Sequence, residues 1–454
     1  MAKIDPEVNP ASSTPPAGAI PPARMALLFM VMLVTAAGNT AMQSVMPSIG
    51  TALKVADVWI SLAYSWSALL WVVCAPFWAR RSDKRGRKAM MALGLWGFIA
   101  SFVLCGAALW AGLSGWMTAF WTLIAFAAVR SLYGGFGSAA PPAVQAYVAS
   151  RTPRAQRTQA LSLIASSFGL GTVIGPALAP LMVVPFFGLG LTGPFLAFAA
   201  IGVAALILLR LRLPNDEPQY ATRGQAVAYS SGSGAPVDPQ EASETGEAEE
   251  AGEAGEPPRL TWRDPRLQPW VFAGLFGGHA QAMVLGISGF LVLDRLGLRD
   301  TPAEGAGPVG LVLMSGAIAT LLAQWGLIPR FNLGPRAATL WGIAIAGFGT
   351  IILAVAGDLH LIALGYAIAS LGFGLFRPGT TAGTSLAVTR AEQGQASGIV
   401  ASLAGASYIY APALGVWLYG RSDWLGFGLI VALCAIVLMH GWFRLQADQD
   451  LTRS

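Results

Sequence analysis

Arg80-Arg81-Ser82-Asp83-Lys84-Arg85-Gly86-Arg87-Lys88 places six basic residues in nine positions of a chain that is only 11% charged. On either side lie apolar runs, 59–78 and 90–110, each about as long as the hydrocarbon core of a bilayer requires. The plainest reading is a short polar turn between two membrane spans, with one acid, Asp83, among the bases. Soluble domains carry about 25% charged residues. A 454-residue chain that is 55% hydrophobic cannot cover itself with a soluble surface, so lipid must be its main solvent. The net charge of +5 then belongs to membrane topology and not to nucleic acid.

Outward from that turn, apolar runs of spanning length recur. The first set is 25–49, 59–78, 90–110, 116–148, 160–184 and 191–211; the second is 270–293, 307–328, 338–356, 361–387, 395–419 and 424–443. The expected fold class is an all-α polytopic membrane protein with 12 transmembrane helices. Residues 1–24, rich in Pro, Ala and Ser, read as a disordered cytoplasmic N-terminus. The apolar run after them is too long for a signal peptide. Residues 25–212 form one six-helix half and 268–445 the other, with a short cytoplasmic tail at 446–454. Between the halves, 213–267 is acidic and rich in Gly, Ser and Pro, the composition of a disordered tether. With both termini inside, 22 of the 28 basic residues fall on the cytoplasmic side, an asymmetry that an odd number of spans would scramble. The expected location is a bacterial inner membrane.

The two halves repeat one another. Gly135-Phe136-Gly137, three residues and Pro141 recur as Gly372-Phe373-Gly374, three residues and Pro378. Gln159-Ala160 recurs as Gln395-Ala396, and Pro176-Ala177-Leu178 as Pro412-Ala413-Leu414. A single one-residue gap aligns all of these. Duplicated halves are a design in which a site at the repeat interface is exposed alternately to either side.

The opening stretch resembles the signature of the major facilitator superfamily in this same loop, Asp-Arg-x-Gly-Arg-Arg/Lys. Asp83, Gly86, Arg87 and Lys88 stand on its fixed positions, Lys84 replaces the usual Arg, and Gly334-Pro335-Arg336 is a worn second copy. The resemblance covers about 25–443. It implies two pseudo-symmetric six-helix bundles, a monomer, a small-molecule substrate, and a cytoplasmic gate where Asp83 meets the start of span eleven near Gln393–Gln395. Arg130 with Gly134 and Gly137, and the Gly171, Gly175, Pro176 motif, are similar to span-four and span-five motifs of drug–proton antiporters. The closing Gly of the second motif is absent here. The span-ten set Gly372, Gly374, Arg377 and Pro378 is also similar to drug-exporter sequences. The resemblance implies efflux by antiport, with the proton gradient as driving force and no cofactor.

Ionisable groups inside a membrane are functional by default. Arg130 in span four, His279 in span seven and Asp294 at the end of span seven are candidates for coupling. For Arg130 a polar clamp to Asn39 or Gln43 competes with that role, for Arg377 snorkelling does, and for His279 a hydrogen-bonded core histidine does. No Asp or Glu lies deep within any span. Asn39, Gln43, Trp66, Tyr133, Gln281, Phe376 and Tyr408 are the cavity candidates. They make a mildly polar, carboxylate-poor surface better suited to neutral or anionic molecules than to cations. Cys74, Cys105 and Cys434 lie in apolar runs without metal-ligand spacing and read as core residues. No HExxH, GxSxG or paired membrane carboxylate supports an enzyme. The expected activity is proton-coupled export of a small amphipathic compound. The alternatives are a dedicated metabolite or siderophore exporter, and an uptake carrier.

Overall fold

The structure, a computed structural model, describes residues 20–152, 154–183, 189–215, 260–388 and 392–448. Side chains at 79–80, 82–84, 154–159, 162, 393–394, 397, 401 and 404 lie outside that description, as do most of the N-terminal segment, the tether at 216–259 and the end of the tail.

Twelve long helices run through the described residues. They are α1 (Pro22–Ala52), α2 (Asp57–Arg85), α3 (Arg87–Leu113), α4 (Ala119–Arg151), α5 (Arg154–Leu178) and α6 (Gly193–Arg212). The second six are α7 (Gln268–Arg295), α8 (Pro302–Phe331), α9 (Pro335–Val355), α10 (Leu359–Leu386), α11 (Gln393–Tyr419) and α12 (Asp423–Arg444). Eleven are long and apolar enough to cross a bilayer outright, and the apolar part of α5 is the shorter Leu163–Leu178. The expected all-α fold with two sets of six helices is what the chain adopts.

The limits of the helices correct the expected spans in an instructive way. The basic stretch is not a loop. Arg and Lys are good helix formers, and α2 runs on to Arg85. The chain turns at Gly86, whose φ of 88° is open to glycine and costly for other residues. α4 carries a 3-10 turn at Gly137–Ala139, just before Pro141 and Pro142, which have no N–H to continue the α-helical ladder; the Ala140 N–H donates to the Gly137 carbonyl instead. α5 starts at Arg154 and ends at Leu178, about a turn and a half earlier than its apolar composition suggests. In α8 a π-helical turn spans Leu322–Leu327, in the cavity-lining part of the helix.

The packing repeats as the sequence does. Within the first half α1 packs on α5, α2 and α3 on α4, and α3 on α6; the second half repeats this with α7 on α11, α8 and α9 on α10, and α9 on α12. The halves meet through α2 on α11 and α5 on α8, which are one pairing and its repeat, with α1 also against α8. Small residues permit these contacts. A Cβ on Gly171 would stand 2.7 Å from Ala36 Cβ, and one on Gly175 would stand 2.3 Å from the Ala37 carbonyl oxygen. Thr40 Oγ1 meanwhile donates to the Gly171 carbonyl at 3.3 Å. Gly372 likewise lies against Ala346 of α9, and Gly374 against Thr320 of α8.

Candidate functional site

Two adjoining cavities lie along the seam between the halves, and a third adjoins them within the second half. The first encloses about 900 Å³ of empty space, open solvent included, between α1, α2 and α4 on one side and α7, α8 and α11 on the other. A second, about 960 Å³ on the same measure, adds α5 and α10. A third, about 530 Å³, lies among α7, α10 and α11. Tyr408 lines all three.

Helical periodicity decides which residues reach this space. From α1 come Asn39, Gln43, Met46 and Pro47, and from α2 come Ser61, Tyr64, Ala68 and Trp71. From α4 come Arg130 and Tyr133. Of the seven cavity candidates, Asn39, Gln43, Tyr133, Gln281, Phe376 and Tyr408 line one cavity or another. Trp66 does not. Two positions past Tyr64, it is turned away, 46% exposed, with its indole Nε1 donating to Ser131 Oγ at 2.7 Å. Tyr64 itself was not singled out, because a tyrosine in an apolar run reads as packing. Its place at the i, i+4, i+7 spacing of Tyr64, Ala68 and Trp71 was the available signal.

The coupling candidates are dispersed. Arg130 is 2% exposed. Its guanidinium lies 4.3 Å from the Tyr133 ring centroid and 5.8 Å from that of Tyr64, while Nη2 donates to Asn39 Oδ1. Nε and Nη1 of Arg130, and the Tyr64 hydroxyl, are buried with no hydrogen-bond partner among the described residues. Arg377 faces the second and third cavities and is hydrogen-bonded to Tyr408. His279 lies on the seam of α7 and α11, outside the lining of these cavities. Its Nδ1 is 2.7 Å from the Leu275 carbonyl oxygen and 3.1 Å from Ser407 Oγ, and its Nε2 meets the hydroxyl of the exposed Tyr410.

Asp294 belongs to a clasp across one end of the seam. Arg299, between α7 and α8, donates to both Asp57 oxygens at 2.7 and 2.8 Å and to Thr51 Oγ1 at 3.1 Å, all on the first half. It also donates to Asp294 at 2.7 and 3.1 Å, and Tyr419 donates to the same carboxylate at 2.8 Å. Desolvation pulls the Arg299 pKa down, but the hydrogen bonds to Asp57 and Asp294 outweigh it and hold the guanidinium charged well above its ordinary range.

At the opposite end, Arg87 is buried and its Nη1 donates to Ser150 Oγ at the end of α4. Lys88 donates to the Arg210 carbonyl at 3.1 Å and to Asn215 at 3.2 Å. These contacts tie the helices of one half together. The Asp83 side chain and its expected partner Gln393 lie outside the described residues, and Gln395 accepts from the Leu260 amide at 2.7 Å. Just ahead of α7, Arg266 joins Asp264 at 2.9 Å to Glu392 at 3.0 Å. The hydrogen bond from Arg266 lowers the Asp264 pKa, and the bonds to Asp264 and then Glu392 raise that of Arg266.

Comparison with known proteins agrees with this architecture. The family model described as Major Facilitator Superfamily matches residues 28–333. A probable actinorhodin transporter of Streptomyces coelicolor is 29% identical over 197 residues, 42% of this chain and 31% of that protein. The multidrug resistance protein MdtG of Yersinia enterocolitica is 28% identical over 152 residues, 34% of this chain and 33% of that protein. The matched stretches thus span about a third of the length of these relatives. The crystal structure of a bacterial homolog of the human lysosomal transporter Spinster, inward-facing and occupied, superimposes with a TM-score of 0.65 at 14% identity, covering 96% of this chain and 98% of that one.

Proposed function

The chain belongs to the Major Facilitator Superfamily, and from that premise we propose that it exports a small amphipathic organic compound by alternating access, driven by protons. The observation that carries the reading is the cavity on the seam between the halves, walled by aromatic rings and small polar groups from both. One end of that seam is shut by the Arg299–Asp57 clasp. Lys and Arg placement puts the Arg87 and Lys88 end in the cytoplasm and the clasp outside, so the outer mouth is the closed one. Relatives named for multidrug resistance and for transport of actinorhodin support export. The close seating of Gly171 and Gly175 on α1 supports alternating access, because it joins α1 and α5 into one packed unit of the first half.

Protons enter through the clasp in this proposal. Asp294 is the one carboxylate among the three coupling candidates. His279, outside the cavity lining, serves the α7–α11 seam. The test uses proteoliposomes with a pH-sensitive dye, an imposed pH gradient, and a panel of neutral, anionic and cationic amphipathic compounds. Substrate-dependent proton movement, lost in Asp294→Asn and in Asp83→Asn, is the expected result. Transport that continues at full rate with the gradient collapsed removes the proton from the mechanism.

A further inference from the structure

We propose that Arg130 is the docking point for the anionic head group of the substrate, which makes the preferred cargo an amphipathic monoanion of the carboxylate class. The proposal takes the central cavity as the substrate's place and so rests on the transport reading, though not on its direction or driving ion.

Three observations converge on it. First, no carboxylate occurs in the sequence between Asp83 and Asp216, so α3 to α6 contain no internal counter-charge for Arg130. Its one hydrogen-bond acceptor among the described residues is the neutral amide of Asn39. Second, two guanidinium N–H groups and the Tyr64 hydroxyl are buried in the cavity wall without an acceptor among the described residues. Buried donors are ordinarily paired, and a group left unpaired in low dielectric is costly. Three donors with no acceptor are matched by an acceptor-only group, and a carboxylate supplies two oxygens that can accept a guanidinium edge side-on. Third, the other cavity arginine, Arg377 on the second half, is hydrogen-bonded to Tyr408, so the walls carry positive charge from both halves, and no acid is among the described residues that line them.

The orphaned nitrogens are covered in this conformation. Binding therefore draws the guanidinium off Asn39 and out from between the Tyr64 and Tyr133 rings. The anion replaces Asn39 as partner, while the apolar body of the ligand lies against Trp71 and the other rings lining the cavity. A cation in the same place would meet two like charges. A neutral molecule would leave the guanidinium charge without a counter-charge.

Binding to the purified full chain in lipid nanodiscs tests this without any gradient, so its outcome is separate from that of the proton-export experiment. The ligands are 2-naphthoate, its uncharged amide and 2-naphthylmethylammonium, titrated calorimetrically. The wild type is expected to bind the carboxylate about tenfold to a hundredfold tighter than the amide, the range of one charged hydrogen-bonded pair. The ammonium should bind weakest. In Arg130→Gln the carboxylate-to-amide ratio should collapse toward one, and Arg130→Lys should restore part of it. Should Arg130→Gln not fold, Tyr64→Phe carries the test through a severalfold fall in the same ratio. Equal binding of carboxylate and amide by the wild type overturns the proposal. A ratio unchanged in both Arg130→Gln and Tyr64→Phe also overturns it.

Discussion

Positions 66 and 71 of α2 both carry tryptophan, five residues and therefore about 140° of helical rotation apart. Trp71 is 3% exposed, lines the cavity and packs with its ring tilted against Tyr133, centroids 5.2 Å apart, whereas Trp66 shares its outward face with the exposed Trp59, Leu62 and Val73. Trp71→Ala is expected to lower transport or ligand binding about tenfold or more, and Trp66→Ala to change it less than about twofold. Uptake into proteoliposomes by both variants, side by side, checks the pair; equal losses would place Trp66 in the cavity after all. The same periodicity explains how far single residues were legible. Asn39 and Gln43, four apart on α1, and Tyr133 on α4 announce themselves as polar or aromatic positions on one face. Tyr64 shows itself only through its spacing with Ala68 and Trp71, and nothing in an apolar run distinguishes a packed tyrosine from one whose hydroxyl is orphaned beside an arginine. Nor could sequence separation suggest that Arg299 would find Asp57, 242 residues away.

At the scale of helices, existence and order were legible from apolar length, while ends were not, because lipid-spanning composition stops before helix geometry does. Arg80–Arg85 continues α2 beyond its apolar run, and only the positive φ of Gly86 ends it. Contacts between helices were legible where glycines recur four apart. A side chain at Gly175 would strike the backbone oxygen of Ala37, which cannot rotate away. Gly175→Leu should therefore destabilise the protein by about 1–3 kcal/mol or part α1 from α5, read as a lowered Tm in detergent. A Tm within error of wild type would show that the seam yields. Ahead of α7, the Asp264–Arg266–Glu392 brace ties the start of the second half to the start of α11. Because the folded pKa of Asp264 is depressed, its contribution is present above the unfolded value of about 3.9 and is lost as pH falls through the folded one. Thermal stability should accordingly fall below about pH 4, and Asp264→Asn should flatten that part of the profile, by less than about 1 kcal/mol for so exposed a pair. An unchanged acid limb would mean that the brace adds nothing.

Over the whole molecule, the helix pairings of one half are those of the other, and the seam between them is pinned at one end by a single arginine shared by Asp57 and Asp294. Asp57→Asn removes one charged partner and should shift the equilibrium toward the state open at that end by about tenfold or more. Spin-label distances between positions 54 and 297, with the native cysteines replaced, would report the shift as a longer population; an unaltered distribution would show that the clasp does not hold the mouth. The central cavity has a different consequence, electrical in kind. Arg130 and Arg377 bring positive charge to the adjoining cavities, and no acid is among the described residues that line them. When the cavity opens inward they sit at the potential of the cytoplasm, and when it opens outward at that of the exterior. A charge carried through the full field is worth about 2.3 kcal/mol per 100 mV, so an inside-negative voltage draws the empty carrier into the inward-open form. A bound anion cancels part of that charge and slackens the pull. For the export proposed above, the resting voltage acts as a return spring that engages after the cargo has left and releases when the next is loaded.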